Sequence, residues 1–404
     1  MEKEYKLKVP DTIQRMTEIY HIVGLWKTGN GNVVSLQQAS YFICIFGFTL
    51  ASFVGIWTID DTDNVVFLVS VVLIGIVQTY RLYFIICEQK GIFDFMHTIS
   101  INSTADYQTF CNANNKLKKF VASVKSVLGI LFLLWVFVVS LPPIRKQLIF
   151  DFAFPWDYKT NEWAFWMGHA FVVGTYVISI TICMFVMMIW YMMMIFVIKY
   201  ELLASEFRNL GAAREGNGSV KTVENMTKAQ GEKPSRSTKL TKSEAGETSY
   251  VKNLVEAIKR LATINGQLDE FEERFSSLFL LQIITSSICI CGAIFVLAFR
   301  VHDNFFQDAF YIIEIIYCLG DIFAVLYLAN EMMLSVDRLS YSLFESNWIV
   351  QTQSCKRNII IMMEYLKQPR SFVVGKLFPM NIETFIAIVK RSYSMFNILG
   401  SFKQ

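Results

Sequence analysis

Apolar residues along this chain come in long blocks rather than in alternation with polar ones. Seven blocks, at 37–59, 64–87, 120–141, 163–198, 275–299, 308–330 and 377–399, are long enough to cross a bilayer, which takes about 20 residues of helix. In oil every backbone donor must be satisfied within its own segment, so such blocks form helices. The pattern predicts an all-α membrane protein, one seven-helix domain over 1–404. The fourth block exceeds what a tilted span covers, so its C-terminal end is expected to project into the cytosol.

Between the blocks the period changes. Val251, Leu254, Val255, Ile258, Leu261, Ile264, Leu268, Phe271 and Phe275 recur at helical spacing with charges between them, as an amphipathic helix requires. The stretch 335–368 carries a similar stripe through Val336, Leu339, Leu343, Trp348, Ile359 and Met363. Segments 251–275 and 335–368 are therefore expected to form a cytosolic helical layer. The stretch 211–250 is rich in Gly, Ser, Thr, Lys and Glu, a composition that predicts a disordered cytosolic loop.

Charge sets the orientation. Most Lys and Arg fall before 37 and in 88–119, 199–274 and 331–376, which places those segments and the N-terminus in the cytosol and the C-terminus outside. That is the reverse of a G-protein-coupled receptor. No apolar stretch precedes residue 37, so no cleavable signal peptide is expected. The eight cysteines fall in or beside spans or in predicted cytosolic segments, where disulfides do not persist. Sequons at Asn102, Asn217 and Asn225 are expected to be cytosolic and unmodified.

Composition agrees: the 404 residues are 54% hydrophobic and 18% charged, against about 25% charged for a soluble domain. A net charge of +3 without a basic arm leaves no nucleic-acid surface. Enzyme chemistry finds no support. Asp321 in YCLGDIF resembles the element of intramembrane aspartyl proteases, but Cys318 stands where that motif has glycine, and the second aspartate which that chemistry needs to share a proton has no convincing candidate. His21, His97, His169 and His302 are scattered without metal-ligand spacing, and phosphate loops and nucleophile elbows are absent. No cofactor and no metal are expected. Glu314 and Asp321, seven residues apart, share a helix face. Either they are functional intramembrane carboxylates, or they lie near the ends of their span, in water or paired with Arg81 or Lys125.

Further residues carry a family likeness. Cys318–Asp321 in the order C-x-G-D, then Leu334-Ser335, Ser342-Leu343 and Trp348, then FPMNIETFIAIVKRSYSMFNIL from Phe378 to Leu399, resemble the C-terminal signature of insect odorant receptors. Gly24-Leu25-Trp26 before the first span is similar to their N-terminal entry. The tail differs from that of the shared co-receptor of the family, so the chain looks like an odorant-binding subunit. The resemblance implies a ligand-gated, non-selective cation channel of four subunits in the plasma membrane of olfactory sensory neurons. The resemblance further implies assembly there with the co-receptor among membrane lipid and binding of a small volatile molecule.

The resemblance also implies that the seventh helix, 377–399, lines a central pore. At about 100° per residue, Ser392, Phe396 and Leu399 share one face, an apolar ring that gates by dewetting; the same period fits ordinary helix packing. Lys390 and Arg391 point away from that face, toward a lateral vestibule or a neighbouring subunit. The chain is expected to stop at the outer mouth of the pore. For the ligand, the resemblance implies a pocket in the outer half of the second, third, fourth and sixth spans. Those halves supply Val69, Val72 and Leu73; Trp135, Val138 and Val139; His169, Val173 and Tyr176; and Tyr311 and Ile315. Trp135, Tyr176 and Tyr311 suit stacking on an aromatic odorant. The alternatives are a metabotropic seven-helix receptor and a transporter. Against the first stand spans one to six without proline and the inverted orientation; against the second, the absence of an internal repeat.

Overall fold

A computed structural model describes residues 5–27, 35–58, 62–100, 103–104, 106–145, 161–211, 236–299, 305–368 and 370–403. In chain order the elements are β1 (Tyr5–Lys6), α1 (Asp11–Ile22), α2 (Leu36–Ile56), α3 (Thr62–Cys87), α4 (Gln89–Ser100), β2 (Ser103–Thr104), α5 (Tyr107–Arg145) and α6 (Glu162–Arg208). They continue with α7 (Arg236–Phe299), α8 (Phe305–Phe344), α9 (Gln353–Leu366), β3 (Val373–Val374), β4 (Phe378–Pro379) and α10 (Ile382–Lys403). Among the described residues, five segments are long and apolar enough to cross a membrane: Leu36–Ile56, Val65–Cys87, Glu162–Arg208, Ser249–Ala298 and Tyr311–Phe344. Of the two other expected spans, 120–141 falls within α5 and all of 377–399 but its first five residues within α10.

Two compact units result. The larger comprises Met1–Ile195, Glu270–Glu331 and Ser371–Gln404, the smaller Phe196–Asp269 and Met332–Arg370. In the larger unit the Gly-Leu-Trp motif has a local job. Gly24, at φ +74°, takes the left-handed conformation that ends α1, and the Trp26 amide closes the turn on the Tyr20 carbonyl at 3.0 Å. Trp26 then stacks on Tyr20 at 4.9 Å and meets Phe93 edge-on. A side chain at Gly24 would strike Gln37. Ser35 opens α2 with a capping box: the Gln38 amide donates to its hydroxyl at 3.2 Å and its own amide donates to Gln38 Oε1 at 2.9 Å. Gln38 Nε2 also donates to the Leu25 carbonyl at 2.7 Å, anchoring the helix to the motif.

Deeper in the bundle, α2 packs closely on α3 because Gly75 has no side chain where Thr49 lies; a Cβ there would come within 2.5 Å of Thr49 Oγ1. Nearly every residue of α6 from Thr181 to Tyr200 is buried, as expected of a helix apolar all round. Tyr20 reaches it with a 2.8 Å hydrogen bond to the Thr181 carbonyl. On α7, Phe271, Phe275 and Phe279 form a column that meets Phe95 of α4, Phe84 of α3, Phe185 of α6 and Phe372.

The smaller unit joins the C-terminal end of α6, the N-terminal half of α7, the end of α8 and α9. Its amphipathic segments hide their stripes against each other: Leu254, Leu261, Leu268, Leu339, Leu343 and Ile359 are all buried. Polar pairs fix the register. Lys199 Nζ donates to Gln267 at 2.6 Å, Tyr200 to Asn265 at 2.9 Å, and the Tyr250 and Ser346 hydroxyls meet at 3.0 Å. Arg208 reaches Glu345, Arg260 bridges Glu206 and Glu256, and Arg370 pairs with Asp269.

Three boundaries differ from the sequence expectation. Helix α7 begins at Arg236, inside the stretch expected to be irregular over 211–250, because the residues after Pro234 carry no further proline and tolerate helix; 212–235 lie outside the described residues. Helix α8 runs to Phe344 and takes in the start of the 335–368 stripe, which resumes in α9 after a turn. The last helix starts at Ile382 rather than near 377. Pro379 sits in β4, not in a first helical turn, because Asn381 is the cap: its Oδ1 accepts from the Thr384 amide at 2.9 Å, and Thr384 Oγ1 donates to the Pro379 carbonyl at 2.6 Å.

Candidate functional site

The larger unit buries a polar line in an otherwise apolar bundle. On α8 the positions Tyr311, Glu314, Cys318 and Asp321 follow at three- and four-residue spacing, so they stack on one face, and all four are buried. Asp321 Oδ2 accepts from Arg81 Nη2 of α3 at 3.2 Å, and the same Nη2 donates to Gln282 Oε1 of α7 at 2.9 Å. Three helices thus meet at one guanidinium. Gln78, one turn before Arg81, donates to Cys183 Sγ of α6 at 3.9 Å. The pairing alternative for Asp321 therefore holds, with Arg81 as partner; Lys125 is exposed. The carboxylate does not lie in water at a span end.

An ion pair in an apolar interior gains strong attraction but loses solvation, and it persists only with good geometry and added hydrogen bonds. Gln282 and the long Arg fork supply these. Among the described residues no group of three His, Cys, Asp or Glu is placed to hold a metal, and none of the eight cysteines is in a disulfide.

The pocket residues expected from sequence are distributed unevenly. Tyr311 is fully buried in a cluster with Ala293 and Val296 of α7, against which Val66, Phe67 and Ile315 pack. Its ring meets Phe67 edge-on at 5.4 Å. Val72 is buried, Leu73 half-buried and Val69 exposed. His169, Val173 and Tyr176 share a face of α6; the first is buried and the others half-buried. The His169 ring stacks on Phe165 at 6.3 Å and meets Trp166 edge-on at 6.1 Å. The side chains of Trp135, Val138 and Val139 lie outside the described residues. The structure thus brings Tyr311 and Ile315 together with α3 and, unexpectedly, with α7. Phe67, Ala293 and Val296 were missed; the signal available for Phe67 was its place three residues before Ser70, on the face that later carries Arg81.

On α10, Thr384, Ile388 and Ser392 form a buried stripe, while Val389, Lys390, Arg391 and Tyr393 are exposed. Ser392, expected on a pore face, thus turns toward its own chain, because the four-residue spacing 384–388–392 is the helix's packing seam. The side chains of Phe396 and Leu399 lie outside the described residues. Lys390 and Arg391 point away from the Ser392 face.

A bundle of long apolar helices with a buried charge network defines a polytopic helical membrane protein. Residues 100–393 match the family described as 7tm Odorant receptor, and the chain belongs to that family, one of receptors rather than enzymes. Odorant receptor 23a of Drosophila melanogaster is 25% identical over 148 residues, 37% of this chain and 39% of that one. Putative odorant receptor 92a of the same species is 28% identical over 151 residues, 37% and 35% of the two chains. Odorant receptor 10 of Aedes albopictus is 25% identical over 118 residues, 29% of this chain and 31% of that one. The chain therefore matches about a third of the length of these curated relatives. The solved olfactory receptor OR5 of Machilis hrabei superposes with a TM-score of 0.77 at 15% identity, covering 96% of this chain and 97% of that one. Its complex with eugenol gives 0.76 at 14% identity, covering 97% and 98%. At that identity the likeness establishes the fold.

Proposed function

We propose that the chain is an odorant-binding subunit of a ligand-gated, non-selective cation channel, assembled as four subunits with the family co-receptor in the plasma membrane of olfactory sensory neurons. The observation that carries the reading is the open face of α10. Lys390 and Arg391 are exposed in the single chain beside Val389 and Tyr393, within a helix otherwise fit for a membrane. Two adjacent cations at that depth require water or a neighbouring subunit, and a water-lined interface between copies provides both. Phe396 and Leu399, which continue the Ser392 face beyond the buried stripe, form the apolar constriction. The N-terminus and the smaller unit are cytosolic and the C-terminus extracellular.

The ligand is a small hydrophobic volatile held in the outer half of the bundle by Val69, Val72, Leu73, Trp135, Val138, Val139, His169, Val173, Tyr176, Tyr311 and Ile315. The eugenol complex of the similarly folded OR5 supports a small-molecule site in this fold. Burial of apolar area, at about 25 cal/mol per Å², dominates such binding. Ligand then shifts the population toward the open state in proportion to its preference for it.

The test is an excised-patch recording from cells expressing this chain alone or with the co-receptor, exposed to aromatic and aliphatic volatiles without nucleotide. Evoked cation current with the co-receptor supports the channel. A silent patch combined with a second-messenger response in intact cells, at verified surface expression, supports a metabotropic receptor instead.

A further inference from the structure

Glu314 has no part in the Arg81 network and is not among the expected pocket residues named above. It lies on the buried face of α8, one turn after Tyr311 and one turn before Cys318. Both carboxyl oxygens are shut off from solvent, and neither has a hydrogen-bond partner at full geometry. The nearest polar side chain on α3 is that of Ser70. The Cys289 thiol of α7 donates to the Ser70 carbonyl at 3.9 Å, and Tyr311, one turn before Glu314 on α8, meets Phe67 of α3 edge-on. Gly292 of α7 leaves its backbone bare beside Ser70: a Cβ there would be 4.0 Å from Ser70 Oγ.

The contrast with Asp321, two turns along the same face, is informative. The fold supplies Asp321 with a guanidinium, whereas Glu314 has at most one hydroxyl for about four acceptor positions. A buried acceptor left without donors is costly, and an acid among apolar side chains at membrane depth is a functional-site candidate. Its location adjoins Tyr311 and Ile315, the α8 residues of the proposed pocket.

We propose that Glu314 is the polar anchor of the ligand pocket. It selects ligands that carry a hydrogen-bond donor, a hydroxyl or an amine, on a small hydrophobic body that rests against Phe67, Tyr311 and Ile315. This deepens the ligand-binding reading above and rests on it.

The test uses the purified full-length wild type, Glu314→Gln and Glu314→Leu in detergent. Ligand-dependent thermal stabilisation is measured for hexan-1-ol, hexylamine and n-heptane, in parallel with evoked current from cells with the co-receptor. The wild type is expected to bind at least one donor-bearing ligand about 10- to 100-fold more tightly than heptane, as one hydrogen bond to a charged group implies. Preference for hexan-1-ol assigns the donor as hydroxyl, and preference for hexylamine as amine. Glu314→Leu is expected to abolish the preference while heptane binding is kept, and Glu314→Gln, which retains an acceptor, to keep part of the alcohol preference. If Glu314→Leu does not fold, Glu314→Gln decides: an unaltered ranking of all three ligands overturns the proposal. So does a wild type that does not prefer the donors, or a Leu variant that weakens all three equally. Donor-selective stabilisation without current leaves the anchor standing and removes the channel reading instead.

Discussion

Arg81 and Asp321 are 240 residues apart in sequence and 3.2 Å apart in space, with side chains almost wholly buried. Removing one partner strands the other charge in an apolar interior, which costs about 3–5 kcal/mol, whereas replacing both by apolar residues of similar size is often neutral. Arg81→Met and Asp321→Leu are each expected to lower the melting temperature and surface expression. The double variant is expected to recover most of the loss. Additive losses in thermal unfolding would show that the two side chains act independently.

Asn381 caps α10 through the Thr384 amide. Asn381→Ala is expected to cost about 1 kcal/mol and to speed amide exchange in the first turn of that helix. Exchange elsewhere stays unchanged. Asn381→Asp, which keeps the acceptor, serves as the control, and equal exchange in all three proteins would remove the cap from the account.

The Thr109 hydroxyl, with the Gln108 and Thr109 amides, holds the Asp106 carboxyl below the usual carboxylate range. A depressed folded value means that the carboxylate stabilises the start of α5 at pH above its unfolded value, about 3.9. That contribution is lost as pH falls through the folded value. Because the group is largely solvated, screening keeps the effect below about 1 kcal/mol. Protection of the first turn of α5 is expected to fall on acidification in the wild type but not in Asp106→Asn. The same acid response in both would assign it to another group.

Trp135→Ala is expected to reorder responses among ligands more than it lowers the maximal current. A uniform loss across the panel would point to folding instead of contact. In the proposed constriction, Phe396→Ala is expected to raise basal leak or alter gating, and currents identical to wild type for every ligand would place Phe396 outside the gate.

Sequons at Asn102, Asn217 and Asn225 are expected to carry no glycan when the chain is expressed in secretory cells. A glycosidase-sensitive mass shift that Asn102→Gln or Asn217→Gln abolishes would invert the proposed orientation.

Several features were legible without coordinates because they are local. The apolar blocks reported helices, since backbone donors in oil have no other partner. The stripe through Leu254, Leu261 and Leu268 reported a packed face, because helical period is carried by neighbouring residues. The start of α10 was misplaced because Pro379 suits both a strand and a first helical turn, and only the Asn381 side chain decides between them.

What sequence by itself determined was the class: the number and rough length of the apolar helices, the amphipathic segments between them, and a pair of carboxylates on one face of α8. Tertiary structure decided which charge each carboxylate meets. Arg81 and Lys125 were equal candidates along the chain, and packing buried one beside Asp321 while leaving the other in the open. It also separated Asp321, which the fold satisfies, from Glu314, which it leaves under-supplied, and turned Ser392 toward its own bundle. Period tells which residues share a face; only the neighbours across three or four helices tell what that face touches, and the energy of a buried charge depends on that contact.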